Sequence, residues 1–146
     1  MIAIPYYETS YFAFHNFSAH AIEIDGVIYP TAEHAFHALK FDNDELRQKI
    51  IDCASPIAAY KLGKELKPQR RSDWDEVKVE VLTNIIRHKA HQNPDVKEAL
   101  LASGDERIVE VNPNDDFWGD GPDGNGLNHT GEILMKIRDE LRAVSS

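Results

Sequence analysis

The chain has 146 residues, of which 42% are hydrophobic and 28% are charged, and its formal net charge is −9 at pH 7. This size suits a single domain, residues 1–146, that buries about two-thirds of its extended surface. The negative charge argues against nonspecific binding to a nucleic-acid backbone, although a small basic pocket for one phosphate remains compatible with it.

The composition also indicates the cellular compartment. One cysteine, Cys53, excludes an internal disulfide and fits a reducing compartment. The first residues lack the pattern of a signal peptide, and no window approaches the ~18 apolar residues of a membrane span. We therefore expect a cytoplasmic protein without membrane contact.

The first predicted elements form a hairpin that leads into a helix. Residues 12–17 are predicted as strand or ordered loop. Residues 21–24 and 27–29 flank Asp25-Gly26, a strong signal for a two-residue hairpin turn. Thr31 is a suitable N-cap for a helix that begins at about Ala32.

This helix carries three titratable side chains on one face. Glu33, His37 and Lys40 are spaced i, i+4 and i+7, within about 60° of arc. A separate apolar stripe that could anchor the helix consists of Ala32, Ala35, Phe36 and Leu39. The three polar groups suit acid/base or covalent chemistry on a ligand. The same spacing also describes a half-exposed helix with an ordinary Glu-His pair and a lysine whose stem covers apolar surface.

Five further helices and one strand follow in the sequence. The helices are predicted at 44–53, from 55 to about 66, from 72 or 73 onward, from 93 to 104, and from about 131. The strand is predicted at 107–111. The core stripe of the longest helix is predicted as Trp74, Val77, Val81, Ile85 and His88, and that of the last helix as Leu134, Ile137, Leu141 and Val144. The sequence thus predicts a helix-rich α+β domain with a few short strands.

Residues 112–128 form a long segment with four glycines and two prolines, too many for regular structure. Glycines let backbone N–H groups approach a ligand closely, and Trp118 offers a flat face for stacking on a base or sugar. Carboxylates that could bind ribose hydroxyls or act as a general base are Asp115, Asp116, Asp120 and Asp123. A solvated cluster of turns with a tucked-in tryptophan is the alternative. The spacing does not fit a calcium-binding EF-hand loop.

Two other clusters allow ligand binding but do not require it. Arg70 and Arg71 precede a predicted helix N-terminus, where arginine side chains and free N–H groups suit phosphate binding. A solvated basic turn with no ligand would have the same sequence. The histidine pairs His34/His37 and His88/His91 are each three residues apart, but no zinc-binding H-E-x-x-H motif is present. No metal and no cofactor are expected.

Taken together, these segments resemble the YbiA-like family, also called the NADAR domain, over about residues 12–142. The residues that carry the resemblance are Phe14-His15-Asn16-Phe17, Tyr29-Pro30-Thr31-Ala32-Glu33-His34, Ala38-Leu39-Lys40-Phe41, Arg71-Ser72-Asp73-Trp74, Gly104-Asp105, Asp115, Trp118-Gly119-Asp120-Gly121, Gly124-Asn125-Gly126-Leu127-Asn128 and Gly131-Glu132-Ile133-Leu134-Met135. One departure is His37, where the family commonly has glutamine, and we do not assign His37 a catalytic role.

The resemblance implies a compact α+β fold and cleavage of an N-glycosidic bond at ribose C1′. It implies that Glu33, Lys40 and Asp115 are catalytic, and that the first helix and the tryptophan-glycine segment line one pocket. The implied substrate-binding residues are Asn16, Phe17, His34, Arg71, Trp118, Gly119, Asp120, Gly126 and Asn128.

Several substrates are compatible with this resemblance. The leading expectation is removal of ADP-ribose from guanine in nucleic acid, where short or single-stranded DNA with one flipped nucleotide could enter. The alternative is a ribosylaminouracil phosphate of riboflavin biosynthesis. A non-catalytic module that binds ADP-ribose or NAD is the alternative of another class.

Two chemical routes are open to these residues. In one, an acid assists departure of the base while a carboxylate stabilises an oxocarbenium-like centre and activates water. In the other, the ribose ring opens and Lys40 captures C1′ as a Schiff base that water later hydrolyses. We favour the lysine route, with Glu33 shuttling protons, Trp118 stacking, Asp115 orienting the ribose or water, and Arg71 or the glycines taking phosphate. Partial burial would have to lower the pKa of the lysine amine against the pull of the carboxylate.

Overall fold

The computed structural model describes residues 1–5 and 10–145, which form an α+β fold with four short strands and six α-helices. The strands are β1 (Ile2–Ile4), β2 (Ile22–Ile24), β3 (Val27–Tyr29) and β4 (Ile108–Glu110). The helices are α1 (Ala32–Ala38), α2 (Asp44–Ile51), α3 (Pro56–Glu65), α4 (Trp74–Gln92), α5 (Pro94–Ala102) and α6 (His129–Ser145). Within these residues no helix has the length and apolar character needed to cross a membrane.

The chain divides into two compact units, Asn16–Gln92 and a second unit that combines Met1–His15 with Asn93–Ser146. The organisation as one domain, which the length suggests, stays a prediction. Each unit has its own pair of strands and its own helices.

The unit of residues 16–92 begins with the predicted hairpin. Strands β2 and β3 pair antiparallel, with Ile22 opposite Tyr29. Asp25 and Gly26 have φ angles of 51° and 82°, and such positive values at both central positions define the turn that matches strand twist. The hairpin therefore ends at Tyr29, immediately before the cap of α1.

Helices α2 and α3 form where their capping residues predict them. The side chain of Asn43 accepts a hydrogen bond from the N–H of Leu46, and that of Ser55 accepts one from Ala58. Pro56 occupies the first turn of α3, where its missing N–H has no cost. A short 3₁₀ turn, Lys67–Gln69, then connects α3 towards α4.

The buried face of α4 differs from the predicted stripe. Trp74 and Ile85 are buried as predicted, but Val77, Val81 and His88 are half-exposed. His88 was expected in the core, and instead its Nδ1 lies 2.8 Å from the Asn84 carbonyl oxygen on the same helix. The residues buried in their place are Leu82, Thr83, Ile86, Lys89 and Ala90. The row that is buried contains Thr83 and Lys89, so apolar spacing alone could not identify it.

The unit of residues 1–15 and 93–146 contains a parallel strand pair, with Ile2 of β1 opposite Ile108 of β4. Strand β1 was not predicted, because three residues are too few for a periodic signal. Of the segment predicted as strand or ordered loop at 12–17, the first three residues belong to a 3₁₀ helix over Ser10–Phe14, and residues 15–17 form a bend and a turn. In α6, Leu134, Ile137 and Leu141 are buried as expected.

Val144 departs from the predicted stripe of α6. Its side chain is 77% exposed, one turn after the last buried leucine of the helix. Regular spacing continues to the end of a helix even where the core beneath it has ended, and this accounts for the error.

Candidate active site

Helix α1 is held in the interior of its unit. The Thr31 hydroxyl accepts the N–H of His34 at 3.1 Å, and the Asn16 carbonyl accepts the N–H of Glu33 at 3.0 Å. These contacts satisfy two of the free N–H groups at the helix start. All seven residues of α1 are buried. The interpretation of this segment as a half-exposed surface helix is therefore wrong, and its polar side chains are interior groups.

Glu33 and His37 form a buried pair on α1. The Nε2 atom of His37 lies 2.5 Å from Oε1 of Glu33, and the two side chains are 3% and 11% exposed. A hydrogen bond to a carboxylate is strongest where water is excluded. The i,i+4 spacing read from the sequence thus becomes a direct contact between the two groups.

Lys40 follows the C-cap residue Leu39, and its ammonium group sits against aromatic rings. Its Nζ lies 5.4 Å from the ring centroid of Phe36 and 5.9 Å from that of Trp74. Its carbonyl accepts the N–H of Arg71 at 2.7 Å, which fixes the backbone at this point. The lysine is therefore held beside α1 by the start of α4 as well as by its own helix.

The environment of Lys40 changes its acidity. Burial, the main cause, lowers the pKa of Lys40 to about 8, and the Glu33 carboxylate acts in the opposite direction. Three further cations lower this pKa through charge repulsion, namely Arg70, Lys67 and Lys64. About a tenth of the amine is then neutral at pH 7, compared with less than a thousandth for an ordinary lysine. This is the condition that the lysine route requires.

We call three cations that act on Lys40 the cationic cluster: Lys64, Lys67 and Arg70. The sequence analysis considered Arg70 but missed the two lysines. A signal was present, since residues 61–71 hold five cations and one acid in a chain of net charge −9. Its members lie at the end of α3 and in the following turn, and their charges act on Lys40. Such a cluster suits an anionic group on a ligand.

His34 and Arg71 are engaged elsewhere in the same unit. The Thr31 hydroxyl lies 2.8 Å from Nδ1 of His34, and Nε2 of the same ring donates to the Cys53 carbonyl at 3.0 Å. Arg71 makes a two-pronged contact with the Asp73 carboxylate, at 2.6 and 2.9 Å. Both ring nitrogens of the histidine and two of the three guanidinium nitrogens of the arginine thus have partners within the protein, and the substrate contacts expected of these two residues stay a prediction.

Asn16 and Phe17 lie beside the start of α1. Within residues 1–5 and 10–145, the buried Oδ1 atom of Asn16 has no hydrogen-bond partner. An interior acceptor of this kind next to the Glu33 backbone could receive a hydroxyl of a ligand. Phe17 is half-buried in the following turn.

In the other unit, residues 112–128 form an ordered loop that we call the glycine loop. Oδ1 of Asp115 accepts the N–H groups of Phe117 and Trp118, at 3.0 and 2.8 Å, and its carbonyl accepts that of Gly121 at 3.1 Å. This is a self-stabilising turn built on one aspartate. Asp115 therefore positions Trp118, whatever else its second oxygen does.

Two glycines of this loop are required by packing. A Cβ on Gly119 would lie 2.9 Å from the Glu110 carbonyl oxygen, and one on Gly126 would lie 2.7 Å from the Gly119 carbonyl oxygen. Backbone atoms cannot move aside as a flexible side chain can. Asp120 adds a further link, because its Oδ1 accepts the N–H of Asn112 at 3.0 Å. These three residues shape the loop directly.

Asn128 joins the loop to β4. Its Oδ1 accepts the N–H of Glu110 at 2.8 Å and its Nδ2 donates to the Ile108 carbonyl at 3.0 Å. The residue is buried and has a φ of 53°, a conformation that asparagine tolerates better than most side chains. Asn128 therefore has a structural role, and its expected contact with substrate stays a prediction.

Trp118 is half-buried and packs inside its own unit. Its ring centroid lies 4.8 Å from that of Phe117 and 6.2 Å from that of His129. An open depression of about 320 Å³ in the same loop is lined by residues that include Phe117, Leu127, Gly126, Asp116 and Asp123. The single pocket expected to combine this loop with α1 stays a prediction.

The relatives of the chain, which share its α+β fold, identify it as an enzyme of the N-glycosidase class. The NADAR domain family matches residues 4–142, so the chain belongs to the NADAR domain family. It is 38% identical to N-glycosidase YbiA of Escherichia coli over 140 residues, 94% of this chain and 88% of that one. It is 39% identical to an N-glycosidase of Nostoc punctiforme over 139 residues, 93% and 89% of the two chains.

Two further comparisons complete this assignment. The NMR structure of E. coli YbiA matches with a TM-score of 0.88 at 35% identity, over 99% of this chain and 86% of that chain. A riboflavin biosynthesis protein of Vibrio vulnificus is 39% identical over 127 residues, which are 87% of this chain but 35% of that protein. The family membership and the α+β fold predicted from the sequence are confirmed, as is the class of enzyme, a hydrolase acting on N-glycosyl bonds.

Proposed function

We propose that this N-glycosidase hydrolyses the C1′–N bond of a phosphorylated N-riboside, with Lys40 as the nucleophile. The observation that carries the proposal is the environment of Lys40. Burial lowers the pKa of Lys40 to about 8, and the Glu33 carboxylate interacts electrostatically with the amine. A nucleophilic amine must be partly neutral near physiological pH, and a proton carrier must stand nearby.

The reaction consumes one water and returns the lysine unchanged. The ribose ring opens as the C1′–O4′ bond breaks, Nζ of Lys40 forms a bond to C1′, and the Glu33 carboxylate carries one amine proton to O4′. The C1′–N bond to the base breaks next, and Glu33 carries the second amine proton to the leaving nitrogen. The resulting Schiff base adds water, whose oxygen stays on C1′ and whose two protons return to Nζ through Glu33 as the C1′–Nζ bond breaks. A ribose aldehyde is released with the free amine, and Glu33 ends as the carboxylate.

The cationic cluster supports a phosphorylated substrate. Lys64 and Lys67 are exposed, Arg70 is half-exposed, and all three act electrostatically on Lys40. Arg71, which the sequence suggested for phosphate, already holds Asp73. We therefore assign the phosphate to the cationic cluster, where lysine ammonium groups provide mobile donors.

The roles of the glycine loop are proposed on chemical grounds. Trp118 would stack on a base or sugar, and the second carboxylate oxygen of Asp115 would orient a hydroxyl or water. If these roles are right, Trp118→Ala and Asp115→Asn lower turnover beyond any loss of folded protein, which circular dichroism measures.

Two substrates fit this chemistry. The name of the Vibrio relative refers to riboflavin biosynthesis and favours a ribosylaminouracil phosphate. ADP-ribose attached to guanine, the leading expectation from the sequence, presents the same C1′–N bond and two phosphates. The cationic cluster would serve either one, so substrate identity is a question for direct measurement.

A mass-spectrometric turnover screen tests the proposal. The panel contains a ribosylaminouracil phosphate, single-stranded DNA carrying ADP-ribosylated guanine, and NAD. Wild-type protein should release the free base from one of the first two, Lys40→Ala should not, and Lys136→Ala, an exposed lysine on α6, should match wild type. Borohydride added during turnover should attach the ribose mass to Lys40 through the reduced Schiff base.

Two outcomes would contradict it. Near-normal turnover by Lys40→Ala would exclude the lysine route and leave direct hydrolysis assisted by Glu33. Saturable binding of these ligands without any product would instead point to the binding module considered from the sequence.

A further inference from the structure

We propose that His37 is a positioning residue for Glu33, acting as a neutral imidazole that always donates its Nε2 hydrogen to the Glu33 carboxylate. The proposal rests on the proposed function, in which Glu33 carries protons to and from the substrate. It gives a role to the one titratable residue of α1 for which the sequence analysis found none.

The contact itself is short and shielded from water. His37 Nε2 and Glu33 Oε1 are 2.5 Å apart, and the histidine side chain is 3% exposed. Because the two residues lie one turn apart on the same helix, the distance between their backbones is fixed by α1. A carboxylate bound in this way is limited in its rotation, and one of its oxygens is permanently occupied.

The surroundings of the second ring nitrogen are the geometric argument for the neutral form of the imidazole. Nδ1 of His37 is buried, and the part of the chain that the structure describes offers it no hydrogen-bond partner. A Cβ built on Gly63 of α3 would lie 2.8 Å from this atom, so the helix backbone packs directly against it. An imidazolium carries an N–H on both nitrogens, and here the second N–H would be buried with no acceptor. The neutral ring with hydrogen on Nε2 leaves only an unpaired lone pair at Nδ1, which costs less than a buried N–H of a charged ring.

Aromatic neighbours hold the ring in place. Tyr60 of α3 and Phe36 of α1 make edge contacts with the imidazole, with centroid distances of 5.5 and 5.4 Å. Together with Gly63 they surround the imidazole on several sides. The ring therefore cannot rotate away from Glu33 without displacing α3.

This arrangement separates two tasks on Glu33. Oε1 is held by His37, so proton exchange with the substrate falls to Oε2. A fixed carboxylate keeps its reactive oxygen aligned through both halves of the reaction, whereas a freely rotating one must be realigned each time. His37 exchanges no proton itself, which distinguishes it from a general base.

The paired variants His37→Gln and His37→Leu test this role. Glutamine provides an uncharged N–H donor, and leucine provides comparable volume with none. We expect His37→Gln to keep most of the wild-type kcat, and His37→Leu to lower kcat about 10- to 100-fold with KM little changed. Thermal unfolding of each variant, followed by circular dichroism, gives the folded fraction to which kcat is referred. A Leu variant as active as wild type, or a Gln variant as impaired as the Leu variant, would overturn the proposal.

A second measurement needs no substrate and no variant to fold. Long-range ¹H–¹⁵N NMR of the wild-type imidazoles should show His37 with hydrogen on Nε2 and none on Nδ1. Hydrogen on Nδ1 would overturn the proposal. If wild-type protein turns over no substrate while Nε2 carries the hydrogen, the proposed function has failed and the Glu33-His37 pair stands as a structural contact.

Discussion

Lys40 is affected at the same time by burial, by aromatic rings and by neighbouring charges. Its ammonium group lies near the rings of Phe36 and Trp74, and burial lowers the pKa of Lys40 to about 8 in spite of Glu33. A neighbouring carboxylate alone would have kept the amine protonated, so desolvation is the stronger effect here. Burial of this kind lowers the stability of the folded protein, because the charged amine loses hydration, and a lysine with no role in the site would not offset that loss.

The pH dependence of turnover follows from this pKa. If Lys40 is the nucleophile, the rate of the covalent step should fall about tenfold per pH unit below pH 8, because the protonated amine has no lone pair. Above pH 8 the rate should level off. Single-turnover measurements between pH 6 and 9.5 check this, and a rate that does not change between pH 6 and 8 would contradict the lysine route.

Glu33→Gln should lower the pKa of Lys40 further, because it removes the charge that raises it. Reductive methylation with ¹³C-formaldehyde followed by NMR titration measures this pKa, and Lys40→Ala identifies the resonance. An unchanged pKa would mean that the two groups do not interact in solution.

Gly63 has a packing role that sequence alone conceals. Alanine normally stabilises a helix relative to glycine by about 1 kcal/mol. Here the new Cβ would lie 2.8 Å from Nδ1 and 3.1 Å from both Cβ and Cγ of His37, so we expect Gly63→Ala to destabilise the fold by about 1–3 kcal/mol. Urea denaturation measures the change.

The matched control for Gly63→Ala is the same substitution in a His37→Ala background. The cost should shrink there, because Cγ and Nδ1 are absent and one close contact remains. An equal cost in both backgrounds would assign the effect to helix α3 itself.

At the level of elements, capping residues and side-chain hydrogen bonds stabilise the short segments more than their intrinsic secondary-structure propensity does. Helix α1 has seven residues and depends on Thr31, the Asn16 carbonyl and its buried surroundings. The glycine loop depends in the same way on Asp115 and Asn128, which bind backbone groups within their own unit. Asp115 and Asn128, which the family resemblance implies as site residues, also give the loop its shape.

Asn128→Ala tests this for the glycine loop. It removes two hydrogen bonds to buried backbone groups and places alanine at a φ of 53°. We expect a loss of roughly 2 kcal/mol or more in unfolding free energy and a Tm lower by about 5 °C. Asn125→Ala, an exposed change in the same loop, should leave Tm within error of wild type. Comparable Tm values for the two variants would mean that Asn128 does not anchor the loop.

At the scale of the whole molecule, the distribution of charge matters more than its total. The chain has a net charge of −9, yet five of its sixteen lysines and arginines fall within residues 61–71. A small positive region on a negative molecule can draw a phosphate to one place while the rest of the surface repels extended nucleic acid.

Neutralising the cationic cluster tests this distribution. Lys64→Gln combined with Lys67→Gln should raise KM for the phosphorylated substrate a few-fold, and added salt should raise the wild-type KM similarly. The same change should move the pKa of Lys40 upward, because both cations lower it. Lys136→Gln, the same type of substitution at an exposed lysine of α6, is the control. An unchanged KM in the double variant would place the phosphate elsewhere.

The sequence by itself determined the order of the elements, the positions of their caps and the family. Turn and capping signals are local, so Asp25-Gly26, Thr31, Ser55-Pro56 and Gly104 act through neighbours a few residues away. The resemblance that pointed to Glu33 and Lys40 likewise rests on consecutive residues.

Only the tertiary structure decided which polar groups have partners within the protein. His34, Arg71 and Asn128 bind partners that are close in space, and two of these partner groups, the Cys53 carbonyl and the β4 backbone, are about twenty residues away in sequence. The buried row of α4 and the cations around Lys40 were decided in the same way. Desolvation and charge act through distance in space, and they turned Lys40 from an ordinary cation into an amine that is partly neutral at pH 7.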